Sequence, residues 1–201
     1  MSSRAYRTRG RSKRSEETRE KIKTAVRELL AEGVFHESTV EEVADRAGVA
    51  RATLYQHFRS RLELVDAICE TFDANPALLR LRETVDGPDP EAALAETIAD
   101  SMRFWSSEDP VLQHLYGVVS IDPAAHALVD RQRADRRGEL ERLARNLARA
   151  GRLRAGTNER RALGLLLVLT SYETFRELRE SGLTDRQLTT TLQRAARDLL
   201  Y

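Results

Sequence analysis

The sequence has one cysteine, Cys69, one tryptophan, and aromatic side chains at only 5% of its 201 positions. A lone cysteine excludes an internal disulfide framework and a multi-cysteine metal site. The longest apolar run, Ala162 to Leu169, falls far short of the roughly 20 residues that span a bilayer, so no membrane partner is expected. No apolar stretch follows the Arg-rich start, which argues against a secretory signal and for a cytoplasmic location. A Gly-rich phosphate loop, a nucleophile elbow and a metal-spaced His pair are all missing. His36, His57, His114 and His126 form no catalytic constellation. No enzyme activity, metal or cofactor is expected.

What is present is 41% hydrophobic and 32% charged, enough apolar surface to bury a core. Abundant Ala, Leu, Arg and Glu with few β-branched residues point to an all-α protein. The net charge of +1 hides an asymmetry, because residues 1–61 hold 14 Lys or Arg against 9 Asp or Glu. The excess is sharpest from Met1 to Ser15, with six basic residues and no acidic one. Three segments are expected: a basic disordered arm over 1–15, a helix-turn-helix domain over 16–61 and a helical domain over 62–201. Two readings stand for the arm, a solubilising or disordered leader, or an extended segment that neutralises phosphates or enters a minor groove.

Periodicity marks a first helix through Ile22, Ala25, Val26, Leu29 and Leu30, stopped at Gly33. Thr39-Val40-Glu41-Glu42 reads as a capping box opening a short second helix. A third runs from about Arg51 to Phe58 with Leu54 and Phe58 inward, and a fourth begins near Arg61. Asp89-Pro90, Asp109-Pro110 and Asp122-Pro123 each place an N-cap acid before a proline suited to the first helical position. They predict helices over about 90–106, 110–119 and 123–150. Two more start at Thr157 and Thr184. Nine helices are expected, with no strand.

Two short helices joined by a turn at Ala47 and Gly48 describe a helix-turn-helix. With Leu54 and Phe58 inward, Arg51, Ala52, Tyr55 and Gln56 turn outward, flanked by Thr53 and His57. The stretch from Thr39 to Phe58, and above all Thr53-Leu54-Tyr55-Gln56-His57-Phe58, resembles the signature of the tetracycline-repressor (TetR) family of bacterial regulators. That resemblance implies a two-fold dimer, a C-terminal ligand-binding domain and repression relieved by a small-molecule effector. It implies a pseudo-palindromic double-stranded DNA operator, with Thr39 at a phosphate, Arg51, Ala52 and Thr53 reading bases, and Tyr55 and His57 mostly on backbone. Arg61 stands where the family usually has a phosphate-gripping Lys, and Ala50 where it commonly has a capping residue. Arg51 also suits a bidentate bond to guanine. Against these readings stand plain ones: a half-exposed packing role for Tyr55, metal ligation by His57, an ordinary surface charge at Arg51.

The C-terminal segment offers candidates for two jobs. Leu163 and Leu166 lie on a helix that is apolar nearly all round, and Leu188, Leu192 and Leu199 form a stripe on the last. Together they suit a four-helix dimer interface, or else one intramolecular bundle. Phe72, Met102, Trp105, Leu112, Tyr116, Tyr172 and Phe175 are candidates for an apolar ligand pocket, although aromatics at helical spacing also describe a plain core. The Arg-rich run from Arg131 to Arg154 reads as a solvated face. A ligand-independent or co-repressor-type DNA-binding protein of the same fold is the alternative to an effector-released repressor.

Overall fold

A computed structural model of the chain describes the backbone of residues 3–121 and 123–201 and the side chains of 13–119 and 124–201. Ten α-helices and no strand occur among the described residues. They are α1 (Ser3–Ala31), α2 (Val40–Arg46), α3 (Arg51–His57), α4 (Arg61–Phe72), α5 (Pro76–Thr84), α6 (Pro90–Ile121), α7 (Pro123–Arg149), α8 (Glu159–Leu169), α9 (Tyr172–Glu180) and α10 (Asp185–Leu200).

The described residues cluster into two compact units. One holds the chain up to Thr71 together with Pro110–Leu128, and the other holds Phe72–Asp109 and Val129–Tyr201. The first boundary therefore lies after Thr71, ten residues beyond the expected break, and α4 joins α1–α3. Both units draw on α6, and the changeover falls at Asp109–Pro110.

In the first unit α1 buries the expected stripe of Ile22, Ala25, Val26, Leu29 and Leu30. Its helical backbone begins at Ser3, where a disordered arm is expected. No proline interrupts residues 3–15 and arginine is a good helix former, so a helix already anchored by its packed stripe extends at little cost. The basic side chains ahead of Lys13 lie outside the described residues. Gly33 ends the helix at φ 77°, and a Cβ built there would lie 2.7 Å from His114 Nε2. Gly33→Ala is therefore expected to cost about 1–2 kcal/mol, from the left-handed backbone before any displacement of the His114 ring. A thermal melt of the variant checks this.

Three helix boundaries depart from expectation, each for a capping reason. Asn75-Pro76 opens α5, a helix absent from the nine expected. Asn75 accepts from the Ala77 N–H at 2.9 Å, and Pro76 takes the first helical position. This is the same Asx-Pro device that opens α6, where Asp89 accepts from the Glu91 N–H at 3.0 Å. At Asp109-Pro110 the device fails and α6 runs through as one helix. The Asp109 carboxylate is engaged by the Tyr172 hydroxyl at 2.6 Å and by Arg176 at 3.4 Å instead of capping. Asp122 lies outside the described residues, although α7 does begin at Pro123. The helix expected from Thr157 is two. Asn158 caps α8, and Ser171 caps α9 by accepting from the Thr174 N–H at 3.0 Å. The capping box at Thr184 is present as expected.

Candidate nucleic-acid interface

Thr39 holds the extended backbone of an N-cap, and its hydroxyl oxygen accepts from the Glu42 N–H at 3.2 Å. Glu42 reciprocates, accepting from the Thr39 N–H at 2.6 Å and the Thr39 hydroxyl at 3.1 Å. These bonds, the backbone one first, hold the Glu42 carboxyl below its ordinary range. A carboxylate depressed in the folded state contributes stability above its unfolded pKa and loses it as the pH falls through the lowered folded value. The start of α2 is accordingly expected to loosen as the pH drops below about 4.3, and Glu42→Gln to flatten that dependence. Amide exchange at Thr39 and Glu42 reads both.

At the turn, Gly48 sits at φ 65°, and the Val49 N–H reaches back to the Ala44 carbonyl at 3.0 Å. Arg46 braces the far end of α2 against the turn just after α1 by pairing with both Glu32 oxygens, at 2.7 and 3.0 Å. Ala50 opens α3 without a side-chain cap bond. Leu54 and Phe58 are buried, which locks the roll of α3. Arg51, Ala52, Tyr55 and Gln56 are exposed on its other side, with Thr53 and His57 half-buried beside them. Tyr55 leaves 41% of its surface in solvent, and no other aromatic side chain among the described residues is as open.

Arg51 is the residue that sequence reasoning left incomplete. Its Nη1 pairs with Glu41 Oε1 on α2, and its guanidinium lies 5.6 Å from the Tyr55 ring centroid. Glu41 had a readable signal. In Thr39-Val40-Glu41-Glu42 only the second Glu is used by the capping box, which leaves the first free to face another partner.

Arg61 is placed differently from the phosphate grip that the resemblance implies. Its Nη1 donates to the Ser38 carbonyl at 2.7 Å and its guanidinium stacks 4.0 Å from the Phe35 ring centroid. Nη2 is buried without a hydrogen-bond partner, and burial pulls the guanidinium below its ordinary pKa. Arg61 ties the segment before α2 to α4. It reaches inward.

No group of three or more His, Cys, Asp or Glu among the described residues could hold a metal ion. No helix among them is long and apolar enough to cross a membrane.

The pocket candidates divide between the units. Leu112, buried, and Tyr116, half-buried, belong to the first. In the second, Phe72, Met102, Trp105, Tyr172 and Phe175 are buried among their own neighbours. Ring centroids follow one another from Phe72 to Phe104 at 5.9 Å, Trp105 at 4.7 Å, Tyr172 at 5.4 Å and Phe175 at 6.1 Å. The polar ends are used inside the unit. Trp105 Nε1 donates to the Thr170 carbonyl at 2.9 Å, and Tyr172, its hydroxyl pKa raised by burial and by Asp109, donates to that carboxylate. Met102 and Phe175 alone of these five border a recess, of about 220 Å³, whose rim includes Ser106 and Asp185. These side chains form a core, with little open wall.

The dimer candidates lie mostly inside the chain. Leu166 and Leu188 are 0% exposed and Leu163 and Leu192 nearly so, within a single chain. They pack where α8 meets α10, and little of their surface remains exposed. Leu199 is 42% exposed, and Val168, absent from the expected interface, is 61% exposed.

The first unit is thus a helix-turn-helix whose second helix presents a polar and aromatic face. Residues 22–68 match the family described as bacterial regulatory proteins, tetR family. Over this segment the chain is similar to members of that family. It is similar to the HTH-type transcriptional activator FasR of Mycolicibacterium smegmatis, 40% identical over 55 residues, which is 27% of this chain and 25% of FasR. It also resembles the HTH-type transcriptional regulator UidR of Escherichia coli, 36% identical over 70 residues, 35% of each chain. The chain thus spans between a quarter and just under half of the length of the curated relatives it matches. The fold extends further. The regulator FadR from Bacillus subtilis, solved in complex with stearoyl-CoA, superposes with a TM-score of 0.71 at 16% identity, over 90% of this chain and 98% of that one.

Proposed function

We propose that the chain is a sequence-specific DNA-binding transcriptional regulator that works as a homodimer on a pseudo-palindromic duplex. The observation that carries this is the outward face of α3. Arg51, Ala52, Tyr55 and Gln56 stand in solvent on a helix whose roll is locked by Leu54 and Phe58. Such a helix fits the major groove, with Arg51 at base edges and Tyr55 and His57 toward the flanking backbone. Thr39 reaches a phosphate from its N-cap position, in competition with Glu42. Regulation rests on a small-molecule effector taken up by the second unit and releasing the DNA. FadR from Bacillus subtilis, of the same fold, was solved in complex with stearoyl-CoA, which supports a small-molecule effector for this chain.

The closed string from Phe72 to Phe175 favours a second reading, a regulator that needs no effector. A ligand would have to part packed rings to enter. Thermal shift against a metabolite library separates the two, since an effector that binds only the folded state must raise the melting temperature.

The dimer face consistent with burial is the exposed side of α8 and α10, which includes Val168 and Leu199, with open space at Gly164 on α8. Selection of bound sequences from random DNA tests the proposal directly. The expected result is a pseudo-palindrome with half-sites about one helical turn apart. Recovery of no preferred sequence overturns it.

A further inference from the structure

Arg51 has a partner before any DNA arrives. Glu41, on the first helix of the helix-turn-helix, pairs with Arg51 Nη1, and both side chains are about half exposed, at 48% and 60%. The Tyr55 ring lies along the same guanidinium. Glu41 has no part in the capping box, which Thr39 and Glu42 complete between them. A carboxylate beside the opening of a recognition helix opposes DNA binding by simple charge. Its placement calls for a reason.

We infer that Glu41 is a specificity-determining residue that acts through Arg51, orienting its guanidinium for base edges and repelling the phosphates that would otherwise capture it. The inference rests on the reading of Arg51 as a base-reading residue. An arginine has five N–H donors in a planar fork. With Nη1 held by Glu41, Nε and Nη2 remain for the O6 and N7 acceptors of guanine, which carry no formal charge and leave the pair intact. A phosphate is different. Its negative charge would lie close to the Glu41 carboxylate, so pairing of Arg51 with phosphate is penalised wherever no guanine compensates. Glu41 therefore lowers affinity for random DNA more than for the preferred site. Its effect is a ratio of affinities, which is what sequence discrimination consists of.

The test uses the full chain and two duplexes of equal length and composition, one selected from random DNA by the unaltered protein and one scrambled. For Glu41→Gln, binding to the scrambled duplex is expected to tighten about tenfold over the two half-sites, while binding to the selected duplex changes by less than about threefold. The salt dependence on the scrambled duplex is expected to steepen by about 0.9 per subunit as Arg51 takes up a phosphate. With Ala at position 51, adding Glu41→Gln is expected to leave discrimination where Arg51→Ala alone leaves it. Equal tightening on both duplexes, or an effect of Glu41→Gln that persists with Ala at 51, overturns the inference. Loss of binding to both duplexes in a variant with unchanged melting temperature also overturns it. Failure of the underlying reading looks different: Arg51→Ala alone would then leave discrimination intact.

Discussion

Leu166→Glu is expected to unfold the second unit, not to yield a folded monomer. Leu166 has no exposed surface and sits in the bundle that α8 and α10 close. An unpaired carboxylate placed there loses its hydration without gaining a partner, and the apolar packing of the leucine goes with it. The expected cost is more than about 4 kcal/mol, a large share of the stability of a domain of this size. Val168→Glu, two residues on, is the control. Val168 is 61% exposed, so the same charge stays hydrated and the fold is expected to change by less than about 0.5 kcal/mol. If α8 meets a second copy through Val168, that variant is a folded monomer with weakened operator binding. Circular dichroism melts and light scattering on both variants decide the matter. A folded, monomeric Leu166→Glu would put Leu166 at the interface after all.

The two leucine and valine positions mark the reach of sequence reasoning. An all-round apolar helix announces that it is buried on more than one side, but periodicity cannot say which chain supplies the second side. Leu163 and Leu166 find their cover within their own chain, where α8 packs on α10. The helix-turn-helix is legible because its signals are local. Thr39 and Glu42 sit three residues apart, Gly48 marks the turn, and Leu54 and Phe58 mark one helical face. The helix boundaries are only half legible, because an Asx-Pro pair does not reveal what else its acid or amide can reach. Asn75-Pro76 opens a helix, while the Asp109 carboxylate of the matching pair answers to Tyr172 on a distant helix. Arg61 is hidden in a different way. Its partners, Phe35 and Ser38, lie more than twenty residues earlier, and nothing in the spacing of the chain reveals that they meet.

Arg51 and Arg61 are accordingly expected to fail in opposite ways when cut to alanine. Arg51→Ala removes an exposed side chain whose partners are Glu41 and the Tyr55 ring, so folding is expected to shift by less than about 1 kcal/mol. On the selected duplex the loss is expected to be about 1–3 kcal/mol per half-site, with preference relaxed at one mirrored pair of positions. Arg61→Ala removes a charged hydrogen bond to the Ser38 carbonyl and a cation–π stack on Phe35, both partly shielded from solvent. About 2–3 kcal/mol of stability in the first unit is expected to go with them. The slope of log K against log salt then separates the two roles that Arg61 could have. If each subunit grips one phosphate through Arg61, the alanine variant flattens the slope by about 1.8 for a dimer. If Arg61 is an interior anchor, the slope of the remaining folded protein stays unchanged, because no counterion was released on its account. Melting temperature and salt slope measured on the same two variants therefore assign the roles. A flattened slope in Arg61→Ala without loss of stability would return Arg61 to the DNA.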